Sequence, residues 1–335
     1  MNKLVLTGLL LIALLPIYFH DSFRATPAPV SPLRIGTNVW IGYEPLYLAQ
    51  YQGAFDDYPI KLIEMPSATD VAQAFRNHLL DVAALTLDEA LMLKRYAPDL
   101  RVFLVVDFSN GADVLLVNPN ALTNLPELKG KRIGTEHTAL GALMLDSVLH
   151  AAGLTVSDIT LVPLTVDIHE SSYLSGKVDA LITFDPHRSR LLQSGAVELF
   201  DSSHIPDRIV DVLVTRQSIL DNRLQDLTAL AHIYFRTVDA LHRKDVESLR
   251  VLAQGLETTV DSVQEQLDKI KQPSLEENRR LLNRNSPALI ASVRNLHELM
   301  LDRHLLDAAV TLDDILTDAV VNTETLAKPQ TEPKE

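Results

Sequence analysis

Carboxylates, hydroxyls and aromatic rings gather in five short stretches of this chain, and none of the five contains a lysine or an arginine. They are Thr37-Asn38-Val39-Trp40-Ile41-Gly42-Tyr43, Thr86-Leu87-Asp88-Glu89, Asp107-Phe108-Ser109-Asn110-Gly111-Ala112-Asp113, Thr135-Glu136-His137-Thr138 and Thr183-Phe184-Asp185-Pro186. The first holds Trp40, the single tryptophan of the chain. Acids without basic partners suit a neutral or cationic nitrogen compound with N–H donors, which can also stack on an aromatic face. A sulfonate or another strong anion would normally want a guanidinium or ammonium partner, although helix N-termini can hold an anion without one. The residues singled out as ligand-binding are Trp40, Tyr43, Thr86, Asp107, Asp113, Glu136, His137 and Asp185. Each has a plainer role open to it. Trp40 and Tyr43 can cover a sheet end, Thr86 and Asp185 can cap helices, and Asp107 and Asp113 can bond their own backbone at a glycine turn. His169-Glu170, ahead of a helical stretch, reads as a surface or capping pair.

Other chemistries find little support. The eleven histidines form no His-x-His and no His-Glu-x-x-His pattern, so no metal site is expected. The stretch from Gly134 to Gly141 lacks the Gly-Lys-Ser/Thr ending of a phosphate loop, and no Gly-x-Ser-x-Gly elbow occurs. Asp107 and Asp113 are a carboxylate pair able in principle to act as acid and base, but nothing in the sequence makes them face each other. No catalytic residue and no cofactor is assigned.

The elements that position these stretches follow from an internal repeat. Arg34-Ile35-Gly36-Thr37 recurs 98 positions later as Arg132-Ile133-Gly134-Thr135. Ala83-Ala84-Leu85-Thr86-Leu87-Asp88 is echoed 97 positions later by Ala180-Leu181-Ile182-Thr183-Phe184-Asp185. In each copy a short apolar strand ends in threonine and gives way to a helical pattern, closed by Gly53 or Gly153. Strands alternating with helices imply a parallel sheet, so each copy reads as one α/β lobe. In such lobes ligands sit beyond the carboxyl ends of the strands, which is where the acidic stretches lie. Residues 102–106 and 114–117 add strands after the first copy, and residues 209–214 add one after the second. From residue 218 to residue 321 apolar residues recur at helical spacing, with Asp245 placed to cap one helix.

Composition bounds the class. The 335 residues carry 30 Lys plus Arg against 44 Asp plus Glu, a formal charge of −14, which repels phosphate backbones and argues against nucleic acid. No cysteine is present, which excludes disulfides, thiol catalysis and Cys-ligated zinc. Lys3 followed by an apolar run over residues 4–19 reads as an export signal or a membrane anchor, both of which leave the folded part outside the cytoplasm, in the periplasm or its equivalent. Residues 1–32 are thus a leader plus linker and residues 326–335 a disordered tail. Residues 33–118 and 215–325 are expected to form lobe one, and residues 119–214 lobe two.

Trp40-Ile41-Gly42-Tyr43-Glu44-Pro45-Leu46-Tyr47-Leu48-Ala49, with Gly53-Ala54-Phe55 and Asp81-Val82-Ala83-Ala84, resembles the opening of the extracytoplasmic solute-binding proteins of nitrate, sulfonate and taurine ABC importers. Leu125-Pro126-Glu127-Leu128-Lys129-Gly130-Lys131-Arg132-Ile133-Gly134, Gly176-Lys177-Val178-Asp179-Ala180 and Phe184-Asp185-Pro186 are similar to later motifs of that family. The resemblance spans roughly residues 33–325. It implies an α/β, two-lobed periplasmic-binding-protein fold of type II-like form, with two hinge crossings and a helical C-terminal part packed on lobe one. The crossings are expected near Asn118 and Val214. It also implies a small-molecule ligand held between the lobes and, as partners, an ABC permease and ATPase. Two departures stand out. The chain lacks the N-terminal cysteine that carries lipid in many members, and the cysteine-rich motif of the related thiamine-pyrimidine synthesis enzymes. The alternatives are a membrane-anchored sensing module that signals to a partner, and an enzyme on the same scaffold.

Overall fold

A computed structural model describes residues 31–283 and 287–324. In chain order, β1 (Leu33–Thr37), α1 (Glu44–Tyr51), β2 (Ile60–Glu64), α2 (Ala68–Arg76), β3 (Val82–Thr86) and α3 (Leu87–Lys94) form the first copy of the repeat. Strands β4 (Leu100–Ser109) and β5 (Val114–Val117) lead to the second: β6 (Arg132–Glu136), α4 (Ala139–Ala152), β7 (Thr160–Leu164), α5 (His169–Leu174), β8 (Ala180–Thr183) and α6 (His187–Gln193). After β9 (Val197–Asp201) and β10 (Val210–Arg216) the chain is mostly helical: α7 (Gln217–His242), α8 (Val246–Gly255), α9 (Val260–Leu267), the short β11 (Ile270–Lys271), α10 (Leu275–Leu282), α11 (Pro287–Asp302) and α12 (Ala319–Asn322).

The strands build two sheets, ordered β11-β4-β10-β3-β1-β2 and β7-β6-β8-β5-β9. In each, three strands of one copy run parallel: β1 pairs with β2 and β3, and β6 pairs with β7 and β8. The next strand is antiparallel, β10 in the first sheet and β5 in the second. Strand β5 therefore leaves the copy that precedes it to pair between β8 and β9, and β10 returns to pair between β3 and β4. This moves the crossings from those expected near Asn118 and Val214. The chain passes between sheets after Ser109 and again after Asp201, because an apolar run marks a strand but not the sheet that completes its hydrogen bonds.

The repeated motif has a physical cause. Arg34 donates from its backbone N–H and Nε to Asp81 Oδ2 and from Nη2 to Oδ1, at 2.9, 3.0 and 2.8 Å. Arg132 makes the same three bonds to Asp179 at 2.9, 3.0 and 2.7 Å. The glycine between them admits a neighbour. A Cβ on Gly36 would stand 2.2 Å from Leu80 Cδ1, and one on Gly134 would stand 2.7 Å from Leu164 Cδ1 and 3.0 Å from Val178 Cγ1.

The C-terminal helices cover the first sheet. Asn278 of α10, fully buried, accepts from Val105 N at 2.7 Å and donates to Val105 O at 3.0 Å, and Tyr234 of α7 donates to Val106 O at 3.3 Å. Asp245 caps α8 through Ser248 N at 2.9 Å, as its position suggests. Beyond the strand itself, Val102 N donates to Ile315 O at 2.7 Å, tying the end of the chain to β4. The leader expected over residues 4–19 and the tail over residues 326–335 lie outside the described residues. Among the described residues no helix is long and apolar enough to cross a membrane.

Candidate functional site

Carboxyl ends of strands from both sheets meet around a chamber of about 30 Å³. Trp40 and Tyr43 reach it from the loop after β1, Thr86 and Glu89 from the β3–α3 junction, and Asp211 from β10. The second sheet brings Glu136, Leu140 of α4 and Phe184 just beyond β8, while Asp113 comes from the segment between the sheets. Trp40 and Phe184 meet edge to face across the cleft, with ring centroids 5.9 Å apart at 78°. Both are buried, so aromatic rings from opposite sheets close the chamber.

Behind the rings the acids are tightly organised. Trp40 Nε1 donates to Asp107 Oδ2 at 3.0 Å, and Tyr43 OH donates to Asp211 Oδ1 at 2.6 Å. Asp107 and Asp211 are register partners on β4 and β10. Gly42 makes room for this layer, since a Cβ there would fall 1.8 Å from Asp107 Oδ2 and 2.7 Å from Trp40 Nε1. Glu89 Oε2 accepts from Thr86 N at 3.1 Å. Thr86 and Glu89 form a reciprocal capping box at the start of α3, and the Thr86 hydroxyl and the first N–H groups of that helix hold the Asp88 carboxylate. Asp107 Oδ1 is buried without a close partner, and such an oxygen is a place where a ligand or water can bond.

The crossings are tied together beside the chamber. Ser109 Oγ donates to Asp113 Oδ2 at 2.6 Å and lies 2.7 Å from Ser202 Oγ, which accepts from Gly111 N at 2.7 Å. Gly111 has φ of 104°, a conformation that side chains disfavour. One hydroxyl pair thus links both passages of the chain to an acid of the chamber.

Burial dominates the electrostatics. It pushes the Asp113 carboxyl up to about 6 although the Ser109 hydroxyl pulls it down. Glu136 rises to about 7, first through burial and then through repulsion from Asp113. Asp88, Glu89, Asp107 and Asp211 are raised too, burial coming first in each, with Asp88 repelling Glu89 and Asp107 repelling Asp211. Among the described residues no lysine or arginine lines the chamber. Without a cation Glu89, Asp107 and Glu136 hold protons near neutral pH, and a cation would favour their ionised forms.

Of the residues singled out in the sequence, Trp40, Tyr43, Thr86, Asp113 and Glu136 line the chamber, and Asp107 stands behind Trp40. His137 does not; it is exposed and lines an adjoining groove. Asp185 does not reach the chamber either. Its Oδ1 accepts from Ser189 N at 3.0 Å and its Oδ2 lies 3.4 Å from Arg188 Nη1, so its own helix takes both oxygens. His169 is not on the surface. Its ring is buried, with Nδ1 3.0 Å from Thr183 Oγ1 and its centroid 5.7 Å from that of His187. Sequence reasoning left Glu89 and Asp211 out of the site. Asp211 carried a usable signal, a lone acid inside the apolar run from Ile209 to Val214. Among the described residues no group of three or more His, Asp or Glu side chains is arranged to hold a metal ion.

A model of the NMT1-like family matches residues 26–256, most of the chain. The chain belongs to the NMT1-like family. Its fold is the two-lobed periplasmic-binding-protein fold, shared at 20% identity and a TM-score of 0.68 with the alkanesulfonate-binding protein SsuA of Xanthomonas axonopodis pv. citri bound to MOPS, over 87% of this chain and 98% of that one. The periplasmic aliphatic sulphonate-binding protein SsuA of Escherichia coli matches equally, with 20% identity, a TM-score of 0.68, and 91% and 96% of the two chains covered. The desulfurization enzyme DSZB has the fold as well, at 17% identity and a TM-score of 0.64 over 87% and 98% of the two chains. A putative thiamine biosynthesis protein of Haemophilus influenzae is 28% identical over 125 residues, which are 35% of this chain and 39% of that protein. This NMT1-like chain therefore spans about two-fifths of that curated relative.

Proposed function

We propose that the protein is an extracytoplasmic solute-binding protein that closes two lobes on a small cationic nitrogen compound and delivers it to an ABC importer. One observation carries the ligand class: Glu89, Asp113, Glu136 and Asp211 surround a chamber with no lysine or arginine among the described residues that line it. A sulfonate placed there would find no guanidinium or ammonium partner among the described lining residues, whereas an ammonium or amidinium group would favour the ionised acids and gain charge-assisted acceptors on several sides. The aromatic pair adds faces against which a cation or a flat heterocycle can rest. The role itself is supported by the family and by the shared fold. Residues 110–113 and 202–209 serve as the hinge, with the first sheet and its C-terminal helices as one lobe and the second sheet as the other.

Trp40 supplies the assay, because all intrinsic tryptophan emission comes from it. Titration with ammonium, short alkylamines and aminopyrimidines is expected to give a saturable change, and titration with taurine, alkanesulfonates and nitrate none. Saturable taurine binding with no response to any amine would overturn the ligand class. Recovery of the bound compound unchanged after long incubation separates a binding protein from an enzyme on this scaffold.

A further inference from the structure

The acidic chamber is too small for a whole metabolite. About 30 Å³ accommodates roughly two water-sized groups, which is the room that one ammonium or amidinium head needs. A second space adjoins it. Glu89, Glu136 and Ala68 line the chamber and also a groove of about 610 Å³, a volume within the range of small-molecule sites. The groove runs between α2 and α3 of the first lobe and α4 of the second, and its walls change character away from the two glutamates. Ala72, Met92 and Tyr96 face Ala142, Leu145 and Leu161. Alanines on α2 and α4 leave it wide. Nine large apolar side chains are exposed among the described residues, and three of them, Met92, Tyr96 and Leu161, line this groove. Arg76, the one Lys or Arg among the described residues along the groove, has its guanidinium 5.5 Å from the centre of the Tyr96 ring.

We infer that the ligand is an amphipathic cation, with its charged nitrogen head among the chamber acids and an apolar alkyl or aryl body along the groove between α2, α3 and α4. This rests on the cation reading above and adds the second half of the molecule. Thr86 adds a further acceptor beside the acids. It lines the chamber, is 5% exposed, and its hydroxyl oxygen, which faces the Glu89 N–H in the α3 capping box, keeps a second lone pair for a head-group N–H. The two glutamates shared by the chamber and the groove put the charge at the junction, so the head defines orientation and the body contributes apolar burial. A compact cation would fill the chamber and leave the groove to water.

The test is a chain-length series, from methylammonium to hexylammonium with phenethylammonium added, titrated against the wild-type protein by calorimetry and by Trp40 emission. Burial of each methylene predicts affinity rising about fourfold per carbon until the groove is filled. Ala142→Phe narrows the groove, and there the ratio of hexyl to methyl affinity, rather than either affinity alone, should collapse. Thermal melting of that variant separates a filled groove from a failed fold. Affinity independent of chain length, with methylammonium still binding, would overturn the inference and leave the cation reading standing. Binding of no ammonium of any length would overturn both.

Discussion

At the start of the first sheet Arg34 grips Asp81 through three donors, and at the start of the second Arg132 grips Asp179 through the same three. The glycines that follow, Gly36 and Gly134, face Leu80 and Val178, which are themselves 98 positions apart. At the far ends of the same strands the likeness stops. The first lobe brings Trp40, Tyr43, Thr86, Glu89 and Asp211 to the chamber, and the second brings Glu136, Leu140 and Phe184. The repeated aspartates show why. Asp185 is answered by Arg188 and Ser189, whereas the positions after Asp88 that correspond to them hold Leu91 and Met92, so Asp88 has only the Thr86 hydroxyl and the first N–H groups of its own helix. A repeat maintains a scaffold because its contacts lie within each copy. The loops at the strand ends are free to diverge because the contacts that hold each copy do not run through them.

That contrast can be broken most directly at the acids. Glu89→Gln should weaken an amine by roughly 10–100-fold, the cost of losing a hydrogen bond to a charged group. Asp185→Asn, at the equivalent end of the second lobe, should leave its dissociation constant within about twofold. Isothermal titration of both variants decides, and an equal loss in the two would erase the distinction drawn between the lobes.

The shared scaffold is tested by Gly36→Ala and Gly134→Ala. Each crowds a packed side chain and should lower unfolding stability by about 1–3 kcal/mol in urea denaturation. Shortening the nearest neighbour, Leu80→Ala in the first case and Leu164→Ala in the second, should recover part of the loss. A large effect in one lobe and none in the other would mean that the glycines do different jobs.

The smallest effect expected is on the pH dependence of the empty protein. Glu136, held up to about 7 by burial, keeps a proton in the folded state at pH 6.5 that the unfolded chain has already released. A folded state binding more protons than the unfolded one loses stability as pH rises. Melting temperature should therefore fall by a few °C between pH 6.5 and 8, on the order of 2–4 °C for each kcal/mol. Buried His169, pushed down to about 4, acts in the opposite sense but below about pH 6.5, the ordinary histidine value. A bound amine should reverse the slope by favouring the ionised acids, and Glu136→Gln should flatten it. A melting temperature that rises over this window in the absence of ligand would count against buried, proton-holding acids.

Much of this is legible in the residues and their order. The repeat, the alternation of strand and helix, the capping of α8 by Asp245 and the acidic, aromatic character of the strand-end loops are local properties, carried by neighbouring residues and their spacing. Trp40, Tyr43, Thr86, Asp113 and Glu136 could be placed near one another because strand ends of an α/β lobe share one side. What the chain could not reveal in one dimension was pairing between distant segments. Strand β5 joins the second sheet and β10 the first, which exchanges the sheets expected for the two strands and carries Asp211 to the chamber. The same holds for single side chains. Asp88 and Asp185 occupy one position of the repeat, and His137 sits one residue after Glu136, yet burial and partners separate them. Periodicity records which residues avoid water. Which buried acid is answered by an arginine and which is left facing a cavity depends on atoms brought together only when the two sheets pack.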